Sequence, residues 1–390
     1  MRLTGTTAVG IRMPIISHGD DLVSLVTTNV LNYLSSQEKN LNENDIVAVT
    51  EAVVAKAEGN FAKLSDIADD VKEKFDGEEI GFVYPMLSRN RLFNILKGIA
   101  RGAKKVHILL SYPHDEVGNP IMDLDLLDEV TDKLGGKMVK AKEFVKAAGV
   151  YKHNYTGINY IELYQGISDN INIYFSNDPR DILKITKNIL VGEIHNRNRT
   201  KKRLLKAGAA KVFTLSDILN KPVNGSGYNP LHGVLGSNLS DGETLKLFPA
   251  KAPDFVLNLQ NSFHKKTGIK PEVIVYGDGA FKDPVCGIWE LADPVVSPGY
   301  TKRLSEQPME IKMKLIADTE FKNLNSEEKQ TAITKAIEEK RNNLNAYREG
   351  TTPRVYADLV GSLCDLMSGS GDKGTPVILV QGYFDDYSVN

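Results

Sequence analysis

From about Asp76 to Val223 the chain alternates short β-branched blocks with amphipathic ones. That alternation constrains the fold more than any other feature, because strands interleaved with helices demand a layered α/β construction. Val106–Leu110 reads as a strand between basic helices, and Ile171–Phe175 as another. A helix then opens at Pro179, a residue pre-set for a first turn. Thr200–Ala207 reads as a basic helix feeding the strand Lys211–Leu215.

Outside this block the signals are also mixed. The first 60 residues read as strand, helix, strand. Asp20 and Asp21 are placed to start the helix, and Leu22, Leu25, Val26, Val30 and Tyr33 recur at helical spacing. Ile46–Val49 is a short buried strand running into Val53–Gly59. Further on, a helix over Asp254–Lys266 separates strands at Thr244–Phe248 and Glu272–Tyr276. Ser326–Arg348 is charged and helical, the pattern of a solvated face. A last helix, Tyr356–Met367, leads to the strand Pro376–Val380. Asn224-Gly-Ser-Gly-Tyr-Asn-Pro is the clearest breaker cluster and predicts a lobe boundary. The expected class is therefore mixed α+β and α/β, in two or three lobes.

Composition excludes several functions. The 390 residues carry 48 Lys and Arg against 50 Asp and Glu, so nothing favours nucleic acid or an anionic membrane as partner. Only Cys286 and Cys364 occur, which is too few for a disulfide framework or a cysteine zinc site. With no leader-like apolar start and no run of roughly 20 apolar residues, a soluble cytoplasmic protein is expected.

Three segments could carry chemistry. Ser368-Gly369-Ser370-Gly371-Asp372-Lys373-Gly374-Thr375 can turn backbone N–H groups inward around phosphate oxygens, with Lys373 adding charge. It is not a Walker A loop, since Gly374 follows the lysine and no helix opens there. A plain surface turn is the simpler reading of its composition. In Val273-Ile-Val-Tyr-Gly-Asp-Gly, an apolar strand ends at Asp278 between two glycines, where a carboxylate could hold a hard cation; an Asp-Gly turn without ligand is the alternative. Lys56 sits among small residues and either meets phosphate or reaches past them to water. The seven histidines show no metal-ligand spacing, though His18 and His232 lie in glycine-bearing turns near these segments. No Gly-x-Ser-x-Gly nucleophile elbow occurs.

Taken together and in order, these segments resemble the coenzyme F-420 γ-glutamyl ligase family. The N-terminal match runs through Met13-Pro14-Ile15-Ile16, His18-Gly-Asp-Asp-Leu, Asn44-Asp-Ile-Val-Ala-Val-Thr and Val53-Val-Ala-Lys-Ala-Glu-Gly. A middle match is Gly236-Ser-Asn-Leu-Ser-Asp-Gly-Glu-Thr-Leu-Lys-Leu-Phe-Pro. Asp278 with Phe281 and Pro284 looks like a loosened form of the family's Thr-Asp-Thr-Phe-Gly-Arg-Pro. Tyr356-Ala-Asp-Leu, Asp365-Leu-Met, the glycine loop and Pro376-Val-Ile-Leu-Val-Gln-Gly-Tyr complete it.

The resemblance implies a two-lobed γ-glutamyl-ligase-like fold, with residues 1–75 and 228–390 as the ligase-like core and residues 76–227 as a large α/β insertion, and it implies a homodimer. It also implies GTP or ATP as cosubstrate, with a divalent cation (Mg²⁺ or Mn²⁺) at the phosphates. The implied reaction activates a carboxylate acceptor as an acyl phosphate, which the amine of an amino acid, L-glutamate, then attacks. By position it puts Met13, Pro14, Ile15, Ile16, Glu51, Lys56, Asn238 and Ser368–Thr375 at the nucleotide, and Asp278, Gly279 and Ser370 at the metal. The sequence departs from the family pattern at Leu235, where the family has a metal aspartate, at Ala52 for a lysine, at Gly279 for a threonine and at Asp283 for an arginine. Those departures leave two alternatives open: a relative that binds nucleotide without catalysis, and a ligase whose acceptor is a folate-like or peptide carboxylate.

Overall fold

The structure is a computed structural model. It describes residues 4–88, 92–112, 114, 121–135, 137–149, 151–153, 156–277, 280–282, 289–291, 296–308, 313–342, 354–369 and 371–385. The chain divides into two compact units. One comprises Met1–Ala57, Lys251–Phe281 and Leu291–Asn390; the other comprises Glu58–Ala250 and Lys282–Glu290.

The first unit is built on a five-stranded mixed sheet, in the order Thr7–Ile11, Val377–Gln381, Ile46–Thr50, Glu272–Tyr276, Gly299–Tyr300. Ile46–Thr50 and Glu272–Tyr276 run parallel, and the other pairings are antiparallel. All five residues of Ile46–Thr50 are buried, which explains its unbroken apolar run: both faces of the sheet are covered. Alternate residues feed two cores. Val47 and Val49 join the core lined by the helices Leu22–Ser36 and Ala252–Thr267, whereas Ile46 and Ala48 join the core under the helix Tyr356–Ser368.

Each of these helices has a legible cause. Asp21 accepts from the Ser24 N–H at 3.0 Å and caps the first, while Asp20 instead accepts from the Ser17 N–H at 2.7 Å. Leu22, Val26, Val30 and Leu34 follow at fourfold spacing and are buried, each contributing about 1.5–3 kcal/mol. In the second helix Val256, Leu259 and Phe263 face the same core, and Gly268 ends it in the left-handed region. The third also ends on a left-handed glycine, Gly369. Charged Ser326–Asn342 is helical, and over residues 326–339 mostly exposed, as its composition predicts.

The second unit holds a six-stranded sheet in the order Val139–Lys140, Ile171–Phe175, Val106–Leu110, Ile80–Val83, Asn188–Val191, Lys211–Thr214. Its strands are parallel except for the antiparallel edge Val139–Lys140. The parallel strands therefore stand 3-2-1-4-5 in chain order, a doubly wound arrangement. Leu64–Phe75 and Leu92–Gly102 pack as a pair on one face, where Gly102 permits close approach: a Cβ there would lie 2.3 Å from the Ala68 carbonyl oxygen. Val83, Leu109, Ile182, Ile189, Val191, Leu204 and Val212 form the core of the other face. A smaller antiparallel sheet joins Asn238–Asp241, Thr244–Lys246 and Phe61–Lys63.

Two expectations change. The helix opening at Pro179 is a single 3-10 stretch, Pro179–Lys184, held at its start by Asp178 accepting from the Arg180 N–H at 3.0 Å. The breaker cluster around Gly225 is not a boundary: the chain divides at Ala57/Glu58 and Ala250/Lys251. Gly227 donates to the Phe61 carbonyl at 2.7 Å, and a Cβ on it would lie 2.5 Å from Asn60 Oδ1. Its glycine serves close packing inside the second unit rather than a linker.

Candidate functional site

The geometry follows from register in the first unit. Ile11 pairs with Val377, Val377 with Val49, and Val49 with Val275. Three strands therefore end, and a fourth begins, at one end of the sheet. Met13–Ile16 leaves the first strand there, and Glu51 opens the helix Glu51–Glu58 directly from the second. Gly277 continues from the third toward Asp278, and Ser368–Thr375 leads into the fourth. Segments more than 300 residues apart in sequence thus meet: the Met13 N–H donates to the Gly374 carbonyl at 3.4 Å, and the Thr50 N–H to that of Pro376 at 2.9 Å. Gly10 has no room for a side chain, since its Cβ would lie 2.9 Å from the Thr375 Cβ.

The glycine loop is a compact turn. Gly371 N–H donates to the Ser368 carbonyl at 3.1 Å, Asp372 N–H to Gly369 at 3.1 Å, and Gly374 N–H to Gly371 at 3.0 Å. Those donors are satisfied inside the turn, so a phosphate held by them requires the turn to open. Gly369, Gly371 and Gly374 all sit at positive φ (55°, 87° and 75°), where glycine leaves the backbone free to rotate. Asp372 and Lys373 are exposed, and the Lys373 alkyl chain passes 3.7 Å from where a Gly369 Cβ would stand.

Beneath the turn lies a small buried polar layer. Tyr276 donates its hydroxyl to Ser368 Oγ at 2.8 Å, and Ser368 Oγ accepts from the Gly371 N–H at 3.3 Å. Thr50, the register partner of Tyr276, is 1% exposed, and its hydroxyl has no hydrogen-bond partner among the described residues. A buried hydroxyl left so costs about 1–3 kcal/mol. Glu51 is fully buried in the first helical turn. Lys56 is exposed, five residues and so about 7.5 Å further along that helix. On the other side of the loop Ile16 is in the core, Met13 is half-buried and Pro14 is exposed, while Ile15 is 89% exposed despite being apolar.

Asn238 belongs to the second unit, where it starts a strand opposite Lys246. Nearby, Gly236 sits at φ 72° with its Cβ position 2.3 Å from the Phe248 ring, so only glycine fits. Leu235 packs, partly buried, against the apolar core, and the buried Ser237 hydroxyl has no partner among the described residues. His232 lies edge-on to Phe248 with ring centroids 5.4 Å apart; burial, and then Arg197, hold its pKa below the ordinary value. His18 is exposed. Cys364 is buried, which pushes its thiol pKa up and leaves it unreactive.

Asp278, Gly279 and Ser370 lie outside the described residues. Among the described residues, no group of three or more His, Cys, Asp or Glu is placed to hold a metal ion. Among them, too, no helix is long and apolar enough to cross a membrane. Reading the sequence did not single out Thr50 or Tyr276. The available signal was position: each is the last, polar-tipped residue of an apolar strand.

A comparison with curated proteins gives no match. The sequence model of F420-0:Gamma-glutamyl ligase matches residues 10–382, nearly the whole chain, and with it both units. The strand-end segments and the interleaved α/β block thus fall within one matched span, and the chain belongs to the F420-0:gamma-glutamyl ligase family, a family of amino acid ligases.

Proposed function

We propose that the protein is a nucleotide-dependent ligase that joins an amino acid, L-glutamate, to a carboxylate acceptor through an acyl phosphate. The observation that carries this reading is the gathering of Met13–Ile16, Glu51, Gly277 and the described residues of Ser368–Thr375 at one sheet end. Ligands in α/β sheets sit outside the carboxyl ends of parallel strands, and Ile46–Thr50 and Glu272–Tyr276 both present theirs there.

The chemistry suits such a site. An oxygen of the acceptor carboxylate attacks the terminal phosphorus of GTP or ATP, and the bond to the nucleoside diphosphate breaks. The glutamate nitrogen then attacks the acyl carbon, the carbon–oxygen bond to phosphate breaks, and the amine loses its proton as phosphate leaves. The protein's part is to position the reactants and offset charge. Lys373 and Lys56 supply positive charge, the opened glycine turn supplies N–H donors, and exposed Ile15 offers an apolar contact for the base. A divalent cation, Mg²⁺ or Mn²⁺, would neutralise phosphate charge when bound. The roles of Asn238 at the nucleotide and of Asp278, Gly279 and Ser370 at the metal rest on resemblance to the family. On the same footing we propose a cytoplasmic homodimer whose acceptor specificity comes from the inserted α/β region.

The test is phosphate release from GTP and ATP with Mg²⁺, across a panel of deazaflavin, folate-like and peptide carboxylates. Release that depends on both glutamate and one acceptor is expected. A second reading, nucleotide binding without catalysis, is favoured by one observation: Leu235 is built into apolar packing where the family pattern has a carboxylate. Nucleotide binding without release for any acceptor would establish it.

A further inference from the structure

We infer that the Thr50 hydroxyl is a ligand contact, donating a hydrogen bond to an anionic phosphoryl oxygen of a nucleotide bound at the strand ends. The inference rests on the nucleotide reading above and adds a residue that the resemblance does not assign.

Three observations support it. Thr50 is the final residue of a fully buried strand, 1% exposed, and among the described residues its Oγ1 has no donor or acceptor partner. Buried hydroxyls almost always find partners, so one without any marks a place where a partner arrives later. The neighbouring polar groups do not need it: Tyr276 is satisfied by Ser368 Oγ, and Ser368 Oγ also accepts from Gly371. Finally, the glycine turn lies beside Thr50. A Cβ on Gly371 would touch the Thr50 Cγ2 at 3.4 Å, and the Thr50 N–H is already tied to Pro376 at 2.9 Å. Threonine's backbone is thus fixed while its Cγ2 methyl lies next to Gly371, in a segment whose glycines can rotate away. Opening the turn to admit phosphate uncovers this hydroxyl along with the turn's own N–H groups.

The side-chain chemistry narrows the ligand. A hydroxyl at the end of a parallel strand, beside a glycine turn carrying an exposed lysine, suits an anionic oxygen acceptor. A purely structural threonine would hydrogen-bond its own backbone or a neighbour, and among the described residues this one does neither.

The test uses Thr50→Val, which keeps shape and removes the hydroxyl, and Thr50→Ser, which keeps the hydroxyl. Calorimetric titration of the full chain with GTP and with ATP in Mg²⁺ gives affinity; thermal unfolding without nucleotide gives stability. The expected result is an affinity loss of about tenfold or more for Thr50→Val, with Thr50→Ser near wild type. The melting temperature of nucleotide-free Thr50→Val should be unchanged or raised, because an unsatisfied group has been removed. Wild-type affinity in Thr50→Val overturns the inference alone. A melting temperature that falls in Thr50→Val, with affinity unchanged, assigns the hydroxyl a structural role and also overturns it. If wild type binds neither nucleotide, the reading of the site fails and takes the inference with it.

Discussion

Tyr276 and Ser368 lie 92 residues apart and share a buried hydrogen bond of 2.8 Å between their hydroxyls. The bond ties the end of one parallel strand to the last residue of the helix Tyr356–Ser368, at the point where the glycine turn begins. It fixes the root of the turn while three positive-φ glycines leave the turn itself free. Tyr276→Phe should cost about 1 kcal/mol of stability in urea unfolding. Because it loosens the anchor of a proposed phosphate loop, it should weaken nucleotide binding as well. Unchanged affinity would show that the anchor and the loop are independent.

Gly10→Val tests the close crossing of the first strand and the loop. Its Cβ would stand 2.9 Å from the Thr375 Cβ, so either the strand or the loop must shift. A loss of about 1–3 kcal/mol is expected from overpacking, together with weaker nucleotide binding. Full stability and full affinity would mean that the crossing relaxes without consequence.

Leu235→Asp restores a carboxylate at the position where the family pattern has one. Leu235 packs against the second unit's core, so the variant should lose stability, by about 1–3 kcal/mol. If the reading of the family pattern is right, Mg²⁺ or Mn²⁺ should raise its melting temperature more than it raises that of wild type. Equal metal shifts in both proteins would remove that position from the metal site.

Asp178 provides a pH signature for the second unit. Hydrogen bonds from the Arg180 side chain lower its pKa to about 2 from 3.8, assisted by the Arg180 N–H and the charge of Arg203. The folded pKa lies below the unfolded one, so the contribution is present above about pH 4 and disappears as pH falls toward 2. The pair is substantially exposed, which keeps the effect small and sensitive to salt. Asp178→Asn should therefore be slightly less stable than wild type at pH 7 and equal to it near pH 2. A stability difference that persists at pH 2 would assign the effect to its 3-10 cap instead.

Much of the fold was legible where side-chain periodicity is strong. Val106–Leu110, Ile171–Phe175 and Glu272–Tyr276 are strands with the bounds their apolar runs predict. Periodicity does not encode strand order, so neither the 3-2-1-4-5 sheet nor the five-stranded sheet of the first unit was foreseen. The breaker cluster misled because glycine has two causes, flexibility and close approach, and Gly227 is there for the second. For the candidate site, sequence indicated candidate segments, and register brings Met13–Ile16, Glu51 and the described residues of Ser368–Thr375 to one sheet end, while Asn238 belongs to the second unit. Thr50 and Tyr276 escaped notice because a lone hydroxyl at a strand tip looks like any strand terminus until its partners can be counted.

The central claim is that this sheet end binds a nucleoside triphosphate. Isothermal titration of the full chain with GTP and with ATP, in Mg²⁺, tests it most directly, with Lys373→Ala as the control. Saturable binding of at least one nucleotide, weakened by Lys373→Ala, is the predicted result. Binding of neither nucleotide by wild type, or binding indifferent to Lys373→Ala, Tyr276→Phe and Thr50→Val alike, would contradict it.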